Sequence, residues 1–167
     1  MNKVLVILLI LGSAWVARAD AIRDWNETAA NAGFAAGLDN PTEGCVDPLH
    51  ESRIFAMMHA ATHDALNSIE RRFQPYALDA QAPAGSSPEA AVAAAAHDVL
   101  LVVFPQLPSE LGLTPAAATD LVETAYASAL ASIPDSPAKV QGILGRPSGS
   151  RSHSQAERRG WIGRPLP

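Results

Sequence analysis

The chain has 167 residues, with 12 lysines and arginines against 17 aspartates and glutamates, 5% aromatic residues and a mean hydropathy of +0.07. That length allows one domain, and near-neutral hydropathy with only 17% charged residues excludes wholesale disorder. A formal charge of −5 argues against nucleic acid as the main partner, and the single Cys45 excludes an intrachain disulfide framework or a cysteine-based zinc site within one chain.

The charge divides the chain into three segments. Residues 1–19 carry only Lys3 and Arg18, residues 20–143 carry five bases and sixteen acids, and residues 144–167 carry five arginines against Glu157. The first segment reads as a secretory signal peptide: Lys3 is a positive start, 4–11 is an unbroken aliphatic run, and Ala17 and Ala19 occupy the positions a signal peptidase reads, so cleavage is expected before Asp20. The apolar run is shorter than the roughly 20 residues that span a bilayer, so contact with a membrane is expected only through an uncleaved signal. The mature protein is expected to be secreted or periplasmic. Asn26, Glu27 and Thr28 form a glycosylation sequon, a pattern short enough to arise by chance.

Residues 20–143 read as helices. From 20 to 37 the apolar Ala21, Ile22, Trp25, Ala29, Ala32 and Ala36 recur at spacings of three and four, and Gly37 before Pro41 ends the pattern. Pro48 opens a second helix whose buried side is marked by Ile54, Met57, Met58, Ala61, Ala65, Leu66 and Ile69. Ser87, Pro88 and Glu89 form a cap, a first-turn proline and a first-turn acid for a third helix over 88–104, apolar nearly all round, as a helix in the middle of a bundle is. Thr114 with Pro115 and Ser136 with Pro137 repeat the device for two more. No stretch shows the alternation of a half-buried strand. The fold class is therefore all-α, a partial helical bundle of about four to five alanine-rich helices in which small side chains let the axes approach closely.

The histidines carry the candidate chemistry. His59 and His63 are four apart and share a helix face, Asp64 follows directly, and His97 with Asp98 forms a second doublet on the third helix. His59, His63, Asp64, His97 and Asp98 are thus the candidate metal-ligating residues, or carboxylates orienting an imidazole that acts as general base. A zincin helix needs Glu beside the first histidine, where this chain has Ala60. A His-Asp metal phosphohydrolase needs an earlier histidine and a later aspartate, an order that His50, His63, Asp64 and Asp120 can fill. The alternative is structural, with Asp64 and Asp98 hydrogen-bonding to imidazole or backbone.

The run over 53–67, from Arg53 through His59, His63 and Asp64 to Asn67, is followed by Arg72, Phe73, Pro75 and Tyr76, then by Ser87, Pro88 and Glu89 and by His97 and Asp98. Together with Trp25, Asn26 and Glu27 it resembles the N-terminal helices of secreted bacterial proteins in the vanadium-dependent haloperoxidase branch of the type 2 phosphatidic acid phosphatase superfamily. The likeness covers about residues 22–143. It implies a helical bundle, and it implies that full-length relatives bind vanadate or phosphate through a lysine, two arginines, a serine-glycine-histidine turn and a catalytic histidine, all in a C-terminal half. No catalytic or cofactor-binding residue of this chain is implied by it.

Residues 144–167 form a basic tail rich in arginine, serine, glycine and proline. Arg146, Pro147, Ser148 and Gly149 resemble phosphate-binding pieces of that family, yet Ser150 stands where the turn has its histidine, and the pieces are crowded together. The stretch 149–154 has synonymous codons whose shifted frame reads four alanines and an isoleucine, so a frameshift near residue 144 is expected to have replaced an alanine-rich continuation. A native flexible tail is the alternative. Three functions follow as expectations: an exported, truncated haloperoxidase- or phosphatase-like protein inactive alone, a His-Asp metal phosphohydrolase, or a non-enzymatic helical interaction module. Helices shaped to pack on an absent half are expected to expose apolar faces and self-associate, worst of all along 88–104.

Overall fold

The computed structural model describes residues 3–40, 45–46, 48–107 and 113–145. The tail from residue 146, with the crowded phosphate-binding-like pieces and most of the frameshift reading, lies outside the described residues. So do the side chains of residues 1–19, on which the cleavage-site reading rests.

The described chain is helical: α1 (Lys3–Ala36), α2 (Pro48–Ile69), α3 (Pro88–Val103), α4 (Pro115–Ser132) and α5 (Pro137–Gly145). The only other regular elements among the described residues are a two-residue antiparallel pairing of Asp39–Asn40 with Cys45–Val46 and a 3-10 turn, Phe104–Gln106, that ends α3. The all-α class expected from the periodicity is what the backbone adopts.

The helix ends follow from local chemistry. Gly37 takes φ +94°, its N–H donates to the Phe34 carbonyl, and the Leu38 N–H reaches back to the Gly33 carbonyl at 3.0 Å. These paired bonds form a Schellman cap, which needs a left-handed residue and so favours glycine there. Ser87 caps α3, its Oγ accepting from the Ala90 N–H at 3.2 Å, and Ser136 caps α5 by accepting from the Lys139 N–H at 3.2 Å. Thr114 departs from the expected pattern. Its hydroxyl donates to the Ala35 carbonyl at 3.1 Å and its N–H to the Ala36 carbonyl at 2.9 Å, so it joins the start of α4 to the end of α1 instead of capping its own helix.

Helix α3 lies in the middle, packed by α1, α2, α4 and α5. Ala90 through Ala96, Val99 and Leu100 are buried, so the expectation that this helix would be the most exposed is wrong: the neighbouring four helices suffice to enclose it. It is long and apolar enough to cross a membrane when taken with the turn that follows, Pro88–Gln106, but its place is the core. The price of alanine is modest burial, roughly 0.8 kcal/mol per methyl-sized group against about 1.5–3 for a leucine or valine side chain. The larger contributions come from Trp25, Ile54, Met58, Leu100, Phe104 and Val122. Exposed large apolar side chains lie elsewhere: Phe34, Leu49, Phe73, Tyr76, Val140 and Leu144.

Close approach is sharpest where α5 crosses the start of α3. A Cβ on Gly142 would collide with the Ser87 carbonyl oxygen and sit 3.1 Å from the Ala90 Cβ, and the Ser87 N–H donates to the Ala138 carbonyl at 2.8 Å. Glycine to alanine inside a helix ordinarily stabilises by about 0.5–1 kcal/mol. Here the sign is expected to reverse: Gly142→Ala should lower stability by about 1–3 kcal/mol, the range for forced overpacking, and reduce the denaturant midpoint. A raised midpoint would show that α5 does not dock on α3 this closely.

Candidate functional site

Helix α2 buries more polar surface than its sequence suggests. Thr62, Asp64, Asn67 and Ser68 are buried, while Met57, Leu66 and Ile69, expected in the core, are only half-buried. The reason is the irregular stretch between α2 and α3. Its backbone amides lack helical partners, and a chain in contact with a core must find acceptors for them. Asp64 supplies three: its carboxylate accepts from the N–H groups of Tyr76 at 2.7 Å, Ala77 at 2.7 Å and Leu78 at 2.9 Å. Asn67 supplies the rest of the clasp, its Oδ1 accepting from the N–H of Arg72 at 3.0 Å and of Phe73 at 2.9 Å while its Nδ2 donates to the Phe73 carbonyl at 2.8 Å. The Ala82 N–H donates to the Ser68 carbonyl at 2.9 Å, carrying the contact further along the loop.

The clasp also sets an imidazole. His63 Nδ1 lies 3.2 Å from Asp64 Oδ1, and the tautomer that satisfies this contact carries its proton on Nδ1 and a lone pair on Nε2. The ring is flanked by Phe73, with centroids 5.9 Å apart, and meets the edge of Tyr76 at 5.0 Å. His63 borders a cavity of about 300 Å³ between α1, α2 and the start of the loop, lined also by Ile22, His59, Leu66, Arg72 and Phe73. His59, one turn earlier, places Nε2 3.1 Å from Asn26 Oδ1 on α1 and stacks on Phe55.

The second doublet has the same local geometry and a different outer partner. His97 Nδ1 lies 3.2 Å from Asp98 Oδ1, its Nε2 lies 3.2 Å from Glu123 Oε2 on α4, and its ring stacks on Tyr126 at 4.0 Å. His97 thus bridges two helices. Glu123 was not among the residues singled out from sequence, and its separation of 26 positions from His97 leaves no local signal. Burial pushes the imidazole pKa down, but hydrogen bonds to Asp98 and Glu123 and the charge of both carboxylates outweigh it, so the pKa stands above the ordinary 6.5.

The residues proposed as ligands are therefore brought to two separate places: His59 and His63 on α2 at the cavity, with Asp64 buried behind His63, and His97 with Asp98 on α3 against α4. Asp120 is exposed on α4 and His50 half-buried near the start of α2. Among the described residues no group of three or more His, Cys, Asp or Glu side chains converges on a point that could hold a metal ion. Comparison with family models, with curated proteins and with solved structures finds no match to the chain.

Because the folded pKa of His97 is raised, its protonation stabilises the fold fully below the unfolded value and that contribution is lost as pH rises through the folded one. Glu123 is 59% exposed, so water screens part of the attraction. Between about pH 5 and 8, where imidazoles titrate, the thermal midpoint of the native chain is expected to fall more steeply with rising pH than that of Glu123→Gln. Parallel curves would remove His97 from the link between α3 and α4.

Proposed function

We propose that this chain is the N-terminal helical scaffold of an exported protein of the vanadium-dependent haloperoxidase and acid phosphatase type, and that these residues on their own are catalytically silent. The observation that carries the reading is the clasp. Two of the separated stretches that carry the likeness are 53–67 and 72–76, and Asp64 and Asn67 of the first hold the backbone of Arg72, Phe73 and Tyr76 of the second. A motif whose two parts bond to each other is what a scaffold requires, since each residue type then has a structural reason at its position. The same bonds favour this reading over a His-Asp phosphohydrolase, because the Asp64 oxygens a metal would need already accept three amide protons.

Four of the five described cationic side chains point the same way, with Arg53 exposed apart from them. Arg23, Arg71, Arg72 and Lys139 are each engaged by a carboxylate, respectively by Asp20 and Asp24, Asp79, Glu70 and Asp135. On this reading the oxyanion-binding residues belong to a C-terminal half that packs on these helices, and that half also chooses between halide and phosphate ester.

Purified chain supplied with orthovanadate is expected to give neither bromide oxidation nor phosphate ester hydrolysis. The shifted frame of the gene beyond codon 143 is expected to encode a lysine and arginine helix and a serine-glycine-histidine turn. Vanadate-dependent turnover by the chain alone would overturn its silence, and a shifted frame without those residues would overturn the family reading.

A further inference from the structure

Two histidines on one cavity wall differ from the other doublet in a way the scaffold role does not use. His97 has both ring nitrogens occupied, by Asp98 and Glu123. His63 has only Nδ1 occupied, by Asp64, and among the described residues no hydrogen-bonding group meets its Nε2. The Nε2 lone pair belongs to a ring that is held on three sides: Asp64 behind it, Phe73 and Tyr76 beside it. A carboxylate on the far nitrogen is the arrangement that fixes the tautomer and orientation of a metal-ligating imidazole. Asp64 is itself 1% exposed in its side chain and fixed by three amides, so the imidazole it orients is preorganised.

We propose that His63 and His59 form a two-histidine site for a divalent late transition metal ion of the zinc, copper and nickel class. Positions four apart on a helix stand one turn above the other, with Cβ atoms roughly 5–6 Å apart, a spacing that lets two imidazoles reach one ion. Imidazole nitrogen selects this class of ion over magnesium or calcium, which take oxygen. His59 is available through exchange: its Nε2–H now donates to the neutral Asn26 amide oxygen, and in the other neutral tautomer, with the proton on Nδ1, the Nε2 lone pair replaces that hydrogen bond with a coordinate bond. The guanidinium of Arg72 at the cavity is balanced by Glu70 at 2.9 Å, which limits repulsion of a cation. The remaining coordination positions face the cavity of about 300 Å³, with room for water or an anionic ligand. The site stands independently of the haloperoxidase-like reading, because it rests on the packing of α1, α2 and the loop and on no residue of a C-terminal half.

The test titrates Zn²⁺ into the full chain by calorimetry, beside His59→Ala, His63→Ala and His97→Ala. One ion per chain is expected, with affinity at least about tenfold weaker in each of the first two variants, since even loss of a residue behind a ligand costs 10–100-fold, and unchanged in the third. Absence of zinc binding, or binding that survives His63→Ala, overturns the proposal. Should either α2 variant lose its helical circular dichroism, the chain loaded with Cu²⁺ decides: spin resonance showing two imidazole nitrogens on the copper, retained in each of His50→Ala, His97→Ala and His153→Ala, supports the site, and one nitrogen or none overturns it.

Discussion

The buried carboxylate of Asp64 is the interaction on which the rest of the described structure depends. An ionised carboxylate taken out of water costs several kcal/mol unless its lone pairs are met, and a loop laid against a core carries amides that cost about 1–3 kcal/mol each if left unpaired. Each problem solves the other here. Asp64 accepts from Tyr76, Ala77 and Leu78, with His63 Nδ1 beside its Oδ1, and Asn67 treats Arg72 and Phe73 in the same way. The loop so anchored delivers Ala82 to Ser68 and then Ser87 to the start of α3, where its hydroxyl caps the central helix and its N–H takes the Ala138 carbonyl of α5.

That chain of contacts explains why a core so rich in alanine can be specific. Alanine faces pack closely but carry little shape, so many relative positions of two such helices would be near in energy. Polar bonds with fixed partners choose among them: the clasp sets α2 against the loop, Thr114 ties α4 to the end of α1, and His97 bridges α3 to Glu123 of α4. Gly142 then allows α5 to lie on the α3 cap at a distance no side chain permits. The candidate metal site is a by-product of the first of these devices, since the carboxylate that holds the loop also orients the His63 ring.

The helices were legible because their signals are local. Gly37, Pro48, Ser87 with Pro88, and Ser136 with Pro137 mark their ends within a few residues, and the three-and-four spacing of Trp25, Ala29, Ala32 and Ala36 reports the buried side of α1. What was not legible depends on partners distant in sequence. Nothing near Thr114 says that its hydroxyl will reach Ala35, 79 positions away, and nothing near His97 names Glu123. The burial of Asp64 ahead of Leu66 is equally hidden, because hydropathy ranks them the other way and only the unpaired amides of the loop reverse the order. The doublets themselves were visible; that one is saturated by two carboxylates and the other keeps a nitrogen free required their surroundings.

Amide hydrogen exchange of the native chain, read residue by residue, tests the clasp most directly. Loop amides ordinarily exchange fast, since they open locally at almost no cost. The N–H groups of Tyr76, Ala77 and Leu78 are expected to exchange as slowly as amides within α2, and that protection is expected to vanish together at all three in Asp64→Ala. Exchange of these three at the rate of an unstructured loop in the native chain would contradict the account, and with it the role of Asp64 in placing α3.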